Sequence, residues 1–391
     1  MTSIPAYDPL APEVIDDPYP WYEALRDESP THYDGHRDIW VISRYDDVLA
    51  AARAHDSLSS SEGITYARAP IPMMITIDPP DHTRLRRLIS RDFTPRAIAQ
   101  WQPVVERRVA ECFDRLLAES SVDYMQLLAF PLPVTVIAEV LGIPSEDHAQ
   151  FKVWSDGIVQ GFNLTESSEM TIVGSILDSL TALKHYLSAL IEERRRAPAD
   201  DLLSRLVDPA QGDRVSDEEL FWFCMLLLVA GNETTTNLLG NMVLAFREHP
   251  DQWRLLQARP ELVASAVEEV LRFDSPIQGF FRTAFAPYEV AGSEIPVGAR
   301  VLLLFASGNR DPRHYEQAGE LLVDRNPTDH LAFGSGIHLC LGAHLARLEG
   351  AAVLRALLER TKGFDLSDRP VRGTNPNLRG LVSLPLTFGR N

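Results

Sequence analysis

Cysteine is scarce in this 391-residue chain: only Cys112, Cys224 and Cys340 occur, and no two of them form a Cys-x-x-Cys pair. An odd, scattered set excludes a disulfide framework and a cysteine-paired metal site, so each thiol has to be explained singly. Positive charge is also in deficit, with 37 Lys and Arg against 55 Asp and Glu and a formal charge of −18. So acidic a surface is unsuited to binding nucleic acid or anionic lipid, apart from one local basic stretch, Arg84, Arg86, Arg87, Arg91 and Arg96, opposed only by Asp92. Long apolar runs are missing. The most apolar one, Phe221 to Gly231, is bounded by Asp217-Glu218-Glu219 and Asn232-Glu233, short of the roughly 20 residues a membrane span requires. No basic-then-apolar leader follows Met1, so the expected location is the cytoplasm. Repeats of 20–50 residues and low-complexity tracts are absent as well, which excludes solenoid architectures.

What remains is an ordinary globular composition, 45% apolar and 24% charged, in a chain long enough to build a core without staples. Apolar spacing predicts helices over Pro95–Ala118, Pro131–Leu141, Ser145–Gln160, Glu169–Arg195, Asp217–Glu248, Pro260–Phe273 and Ala343–Thr361. Short strands are expected at Trp40–Ser43, Tyr288–Ala291, Glu294–Val297 and Arg300–Leu304, and a loop over Ser57–Pro72. The expected class is mainly α (α+β), as a single domain over residues 1–391. The 217–248 helix is unusually long, and its apolar first half implies that it crosses the interior.

The densest chemical signal is Phe333-Gly334-Ser335-Gly336-Ile337-His338-Leu339-Cys340-Leu341-Gly342. Its glycines permit tight turning and close approach of a flat ligand, and Cys340 stands just before a helical stretch. Free N–H groups at a helix start favour a thiolate, and one thiolate among apolar residues is one way to hold haem iron axially. For a lone cysteine the ordinary alternative is a buried free thiol, which is how Cys112 and Cys224 are read.

The segment resembles the haem-binding loop of the cytochrome P-450 family, Phe-x-x-Gly-x-x-x-Cys-x-Gly, matching at Phe333, Gly334, Gly336, His338, Cys340 and Gly342. Two further motifs stand at matching spacing. Ala230-Gly231-Asn232-Glu233-Thr234-Thr235 is a poor mid-helix sequence, since glycine costs about 1 kcal/mol against alanine and a buried carboxylate costs more. The Thr234 hydroxyl can bond the carbonyl four residues back and locally open the helix. This run resembles the family's oxygen-activation segment, which implies that Glu233 relays protons and Thr234 orients the proton donor. Asn232 stands where soluble members often carry His. Glu269-Val270-Leu271-Arg272, a weak helix pair by spacing alone, resembles the family's Glu-x-x-Arg helix, with Arg325 matching its third, structural partner.

The resemblance covers nearly the whole chain and implies a helical triangular prism with small sheets that holds haem b (heme b, iron protoporphyrin IX). It places the propionate partners at His82, Arg86, Arg282 and His338. The implied activity is a monooxygenase that inserts one atom of dioxygen into a hydrophobic small molecule such as a terpenoid, steroid, fatty acid or polyketide-like compound. Electrons are expected from a separate ferredoxin or flavodoxin, to which Arg84, Arg87 and Arg91 are suited. Candidate pocket positions are Ile64–Met74, Val159–Met170, Leu226, Ala230, Pro276, Ile277, Phe280 and Leu381-Val382. Rival readings are a peroxide-driven peroxygenase, a non-catalytic haem sensor or carrier, and a haem-free helical binder. A monomer is the default expectation.

Overall fold

The computed structural model describes residues 7–159, 170–208 and 215–390. Its longest element, Asp217–Glu248, begins at a reciprocal cap: the Glu219 N–H donates to Ser216 Oγ (3.2 Å) while the Ser216 N–H donates to the Glu219 carboxylate (2.8 Å). Three acidic residues in its first turn face the positive end of the helix dipole. Every residue from Thr235 to Phe246 is buried, so this helix does cross the interior. Helices Pro131–Leu141, His148–Val159, Val263–Phe273 and Ala343–Arg360 pack against it. At Gly231 an added Cβ would stand 2.5 Å from Ile137 Cδ1, so glycine there lets the Pro131–Leu141 helix approach closely.

Several elements differ from expectation for identifiable reasons. Residues 95–118 form two helices, Pro95–Ala99 and Gln102–Leu116, because Pro103 has no N–H to give and its ring clashes with the preceding turn. Residues 145–159 and 260–273 each open with a separate 3-10 turn, Ser145–Asp147 and Pro260–Leu262, before the helices begin at His148 and Val263. The largest sheet runs in the order Thr31–Asp34, Ile39–Ile42, Arg300–Leu303, Phe280–Ala284, Leu58–Ser59. Its last strand falls inside the expected 57–72 loop. Strand Phe280–Ala284 was not expected, and its period of two puts Phe280 and Arg282 on one face. No helix among the described residues is long and apolar enough to cross a membrane.

Behind the loop that carries Cys340 lies a fully buried ion pair. Arg272 Nε donates to Glu269 Oε2 (2.8 Å) and Nη2 to Oε1 (2.7 Å), with both side chains wholly enclosed. Arg272 also donates to the carbonyls of Asn309, Ala318 and Glu320, each at 2.8 Å. Arg325 Nε and the Leu322 N–H complete the coordination of Glu269 Oε1, at 3.2 and 2.9 Å. Removing one partner of such a pair strands the other in a dry interior. Glu269→Ala is therefore expected to cost about 3–5 kcal/mol in urea unfolding. Arg259→Ala, which removes a half-exposed partner of Glu261, should cost less than about 1 kcal/mol. Equal losses would refute this account.

Glu349, in the helix that follows the cysteine loop, is 2% exposed, and its Oε1 has no hydrogen-bond partner. Burial pushes its carboxyl up to about 8. The unfolded chain releases this proton near the ordinary carboxylate value while the folded chain keeps it. Stability should therefore fall as pH rises from about 4.5 to about 8 and then level off, with a cost on the order of a few kcal/mol. Glu349→Gln should flatten that part of the stability–pH profile. An unchanged slope in the variant would show that Glu349 is not its source.

Candidate active site

The cysteine loop is shaped by backbone that side chains other than hydrogen resist. Gly334 (φ 70°, ψ −163°) and Gly336 (φ 70°) reverse the chain after the 3-10 turn Leu331–Phe333, and a Cβ at Gly336 would meet the Ala52 carbonyl at 2.8 Å. The reversal lets the Cys340 N–H donate to the Phe333 carbonyl (2.9 Å). Cys340 then sits just before helix Ala343–Arg360. Burial pushes its thiol up, and the N–H groups of Gly342 and Ala343, with the charges of Arg86 and Arg347, pull it down. The expected helix-start contribution is present: those N–H groups act on the thiol in the direction of the thiolate, against burial.

Cys340 opens onto a cavity whose space, including its mouth, is about 1760 Å³. The long helix forms one wall. Leu226, Ala230, Glu233 and Thr234 all reach the cavity, and Thr234 Oγ1 donates to the Ala230 carbonyl (2.7 Å) as predicted. The helix nevertheless runs unbroken through this point, so the hydroxyl does not open it. Asn232 turns away and donates to Ser155 Oγ (3.1 Å). Burial alone pushes the Glu233 carboxyl up to about 7.

Around the cysteine side of the cavity stand His82, Arg86, Arg282 and His338. The two imidazoles approach to 4.6 Å between ring centres, and His82 Nδ1 and His338 Nε2 are buried without a hydrogen-bond partner. Burial, helped by Arg282 and then His82, holds His338 down to about 2; burial and Arg86 lower His82; burial lowers Arg282 to about 10 and also lowers Arg86. Arg86 donates to the Leu339 carbonyl (2.7 Å) and Arg282 to that of Phe281 (2.8 Å), and among the described residues neither meets a carboxylate within ion-pair distance. Four cationic or donor groups with no carboxylate at ion-pair distance among the described residues, on one side of an apolar cavity, fit the carboxylates of haem b. Gly342 fits its flat face, since a Cβ there would meet no protein atom within 4 Å.

Phe333, Gly334, Ile277 and Phe280 also line the cavity, as expected. Val382 does not: it is 47% exposed, because strand Leu381–Ser383 turns Leu381 inward and its neighbour outward. The wall is instead supplied four residues earlier by Asn377 and Leu378, which the sequence reading missed. They are tied to the Pro276 segment by the Gln278 N–H to the Asn377 carbonyl and the Arg379 N–H to the Pro276 carbonyl, both 2.8 Å. No local periodicity marks such a crossing. Of the proposed Val159–Met170 stretch, residues 160–169 lie outside the described residues. Of the basic residues offered to a partner, Arg84 is ion-paired with Glu219 and Arg91 stands 3.6 Å from Asp92.

The chain matches the cytochrome P-450 family model over residues 252–388. It is 40% identical over 381 residues to the β-dihydromenaquinone-9 ω-hydroxylase of Mycobacterium tuberculosis, covering 97% of this chain and 77% of that one. To the vitamin D(3) 25-hydroxylase of Pseudonocardia autotrophica it is 40% identical, over 95% of this chain and 94% of the other. Its fold superposes on a Bacillus megaterium cytochrome P-450 crystallised with corticosterone at a TM-score of 0.88, with 34% identity, over 96% and 99% of the two chains. A cysteine loop flanked by histidines and arginines on one side of an apolar cavity thus occurs in a chain that belongs to the cytochrome P-450 family, the haem-thiolate monooxygenases.

Proposed function

We propose that residues 1–391 act as one haem-thiolate domain in which Cys340 would hold the haem iron through its sulfur, and that the substrate is an extended, largely apolar molecule of the isoprenoid or steroid kind. The observation that carries this reading is the shared cavity, which has Cys340 on one side, the Ala230–Thr234 helix wall on another and apolar side chains between them. The relatives' named substrates, a menaquinone and vitamin D(3), and the steroid bound by the structural neighbour favour that substrate class. When bound, the haem supplies the activation of dioxygen and the two-electron oxidation of an unactivated C–H or C=C bond.

The chain's own residues do the rest. His82, Arg86, Arg282 and His338 hold the propionates. Leu226, Ile277, Phe280 and Leu378 hold the substrate and exclude water from it. Glu233, whose carboxyl burial pushes up to about 7, is poised to hold and release a proton at the cavity wall near neutral pH, and Thr234 presents a hydroxyl oxygen beside it whose own hydrogen is committed to the Ala230 carbonyl. The oxygen can therefore accept a hydrogen bond and orient the proton donor. Glu269, Arg272 and Arg325 hold the scaffold behind the loop. Electrons come from a separate ferredoxin or flavodoxin; Leu339, exposed next to Cys340, and the exposed Arg96 suit an acidic redox protein.

Two experiments test this reading. The dithionite-reduced protein under carbon monoxide should show the far-red-shifted Soret band of thiolate ligation, and Cys340→Ser should lose it; a histidine-type band, or a colourless folded protein, sinks the assignment. With a surrogate ferredoxin pair, product formation should fall as pH rises through about 7, where Glu233 loses its proton, and Glu233→Gln should abolish that step. Thr234→Ala should lower product per electron consumed by about 10²-fold, the scale of a lost proton-transfer step. Product formation with hydrogen peroxide in place of the electron supply, left largely intact by Thr234→Ala, would favour the peroxide-driven alternative.

A further inference from the structure

Next to the Glu269 cluster lies a second, partly buried network that the proposed chemistry leaves unused. Glu268 grips Arg347 at two points, Nε to Oε1 at 2.6 Å and Nη2 to Oε2 at 2.8 Å, and its Oε2 also meets His330 Nε2 at 3.1 Å. Although burial would raise it, hydrogen bonds from His330 and Arg347 hold the Glu268 carboxyl down to about 2. On the far side of the network the Arg347 guanidinium lies 4.5 Å from the centre of the Phe333 ring, and the His330 ring lies 5.5 Å from it. His330 Nδ1 accepts the Ala332 N–H (3.2 Å), inside the turn Leu331–Phe333, so its Nε2 carries the proton given to Glu268. Direct contacts thus run from Glu268 through Arg347 or His330 to Phe333, whose carbonyl holds the Cys340 N–H.

We propose that Glu268, His330 and Arg347 are positioning residues that clamp Phe333 and balance the charge on the sulfur side of the haem. The proposal rests on Cys340 being the axial ligand. A flat guanidinium fixed at two points by a carboxylate cannot rotate off the ring it covers, so the ring and the carbonyl behind it are held in place. The same arrangement places a cation against Phe333, whose carbonyl holds the Cys340 N–H, and tempers it with the anion that grips that cation. Reduction adds one negative charge to the haem-thiolate unit. A cation nearby favours the reduced state and an uncompensated carboxylate disfavours it.

The test is the haem midpoint potential of the holoprotein, measured alongside the reduced carbon monoxide spectrum. The unmutated protein comes first: absence of the thiolate band there overturns the reading of Cys340, not this network. With the band present, Arg347→Gln should lower the potential, Glu268→Gln should raise it, and the double variant should return toward the parent value. A merely structural role gives no such opposition of sign, so two shifts in the same direction, or none, overturn the proposal. If either glutamine variant fails to retain haem, Arg347→Lys decides. It keeps the charge but loses the planar clamp, so an unchanged potential with a smaller share of the thiolate band supports the proposal, and a displaced potential overturns it.

Discussion

A guanidinium taken out of water must have its donors matched, and Arg272 meets that demand by reaching across the chain. Its partners are one carboxylate on its own helix and three carbonyls at positions 309, 318 and 320. Between Phe305–Asn309 and Leu331–Phe333 the chain forms no helix or strand, so no ladder of its own fixes its path. Side chains fix it instead. Arg272 collects the carbonyls, Glu269 collects the Leu322 N–H and Arg325, and the stretch arrives at Leu331 where the cysteine loop must begin. The ion pair is costly to bury and adds little net stability by itself. Its value lies in specifying one path for residues that have no other reason to choose it.

The cavity divides its electrostatics in the same economical way. Near Cys340, histidines and arginines are wholly or partly buried with no carboxylate at ion-pair distance among the described residues, and their proton affinities are depressed, a state relieved by carboxylates such as those of haem. On the helix wall burial acts in the opposite sense, raising the affinity of the Glu233 carboxyl for its proton. One low-dielectric space therefore prepares an anion-holding side and a proton-holding side at once. Neither would persist if water filled the cavity, which ties the apolar lining to the chemistry and not only to substrate fit.

Much of this was legible in the sequence because the signals are local. The long helix carries its own cap at Ser216 and Glu219, and the cysteine loop carries its glycines at the turns where φ is positive. Helix Pro131–Leu141 was readable residue by residue. What escaped was non-local. Strand Phe280–Ala284 exists because Arg300–Leu303 pairs with it, and Asn377 and Leu378 reach the cavity because their backbone is bonded to residues some hundred positions earlier. Proline at 103 overrode a helical pattern that was otherwise continuous, and the exposure of Val382 follows from strand alternation. The Glu268 network was invisible for the same reason: its three members stand 62 and 79 residues apart.

The Ala230–Thr234 run shows how a helix accommodates residues that break its local rules. Gly231 is offset by the close approach of Ile137, and Asn232 by a hydrogen bond to Ser155 on a neighbouring helix. Glu233 has no such partner, and its cost is met by keeping its proton. Thr234 satisfies its own donor within the helix. Two of the four departures are therefore absorbed by packing against other helices, and two are left facing the cavity with a proton and a hydroxyl oxygen available. Because the helix stays continuous, those two groups are held on rigid backbone rather than on a loop, and their geometry toward the cavity is fixed before any ligand enters. A local unwinding would have given the hydroxyl more reach at the expense of that preorganisation.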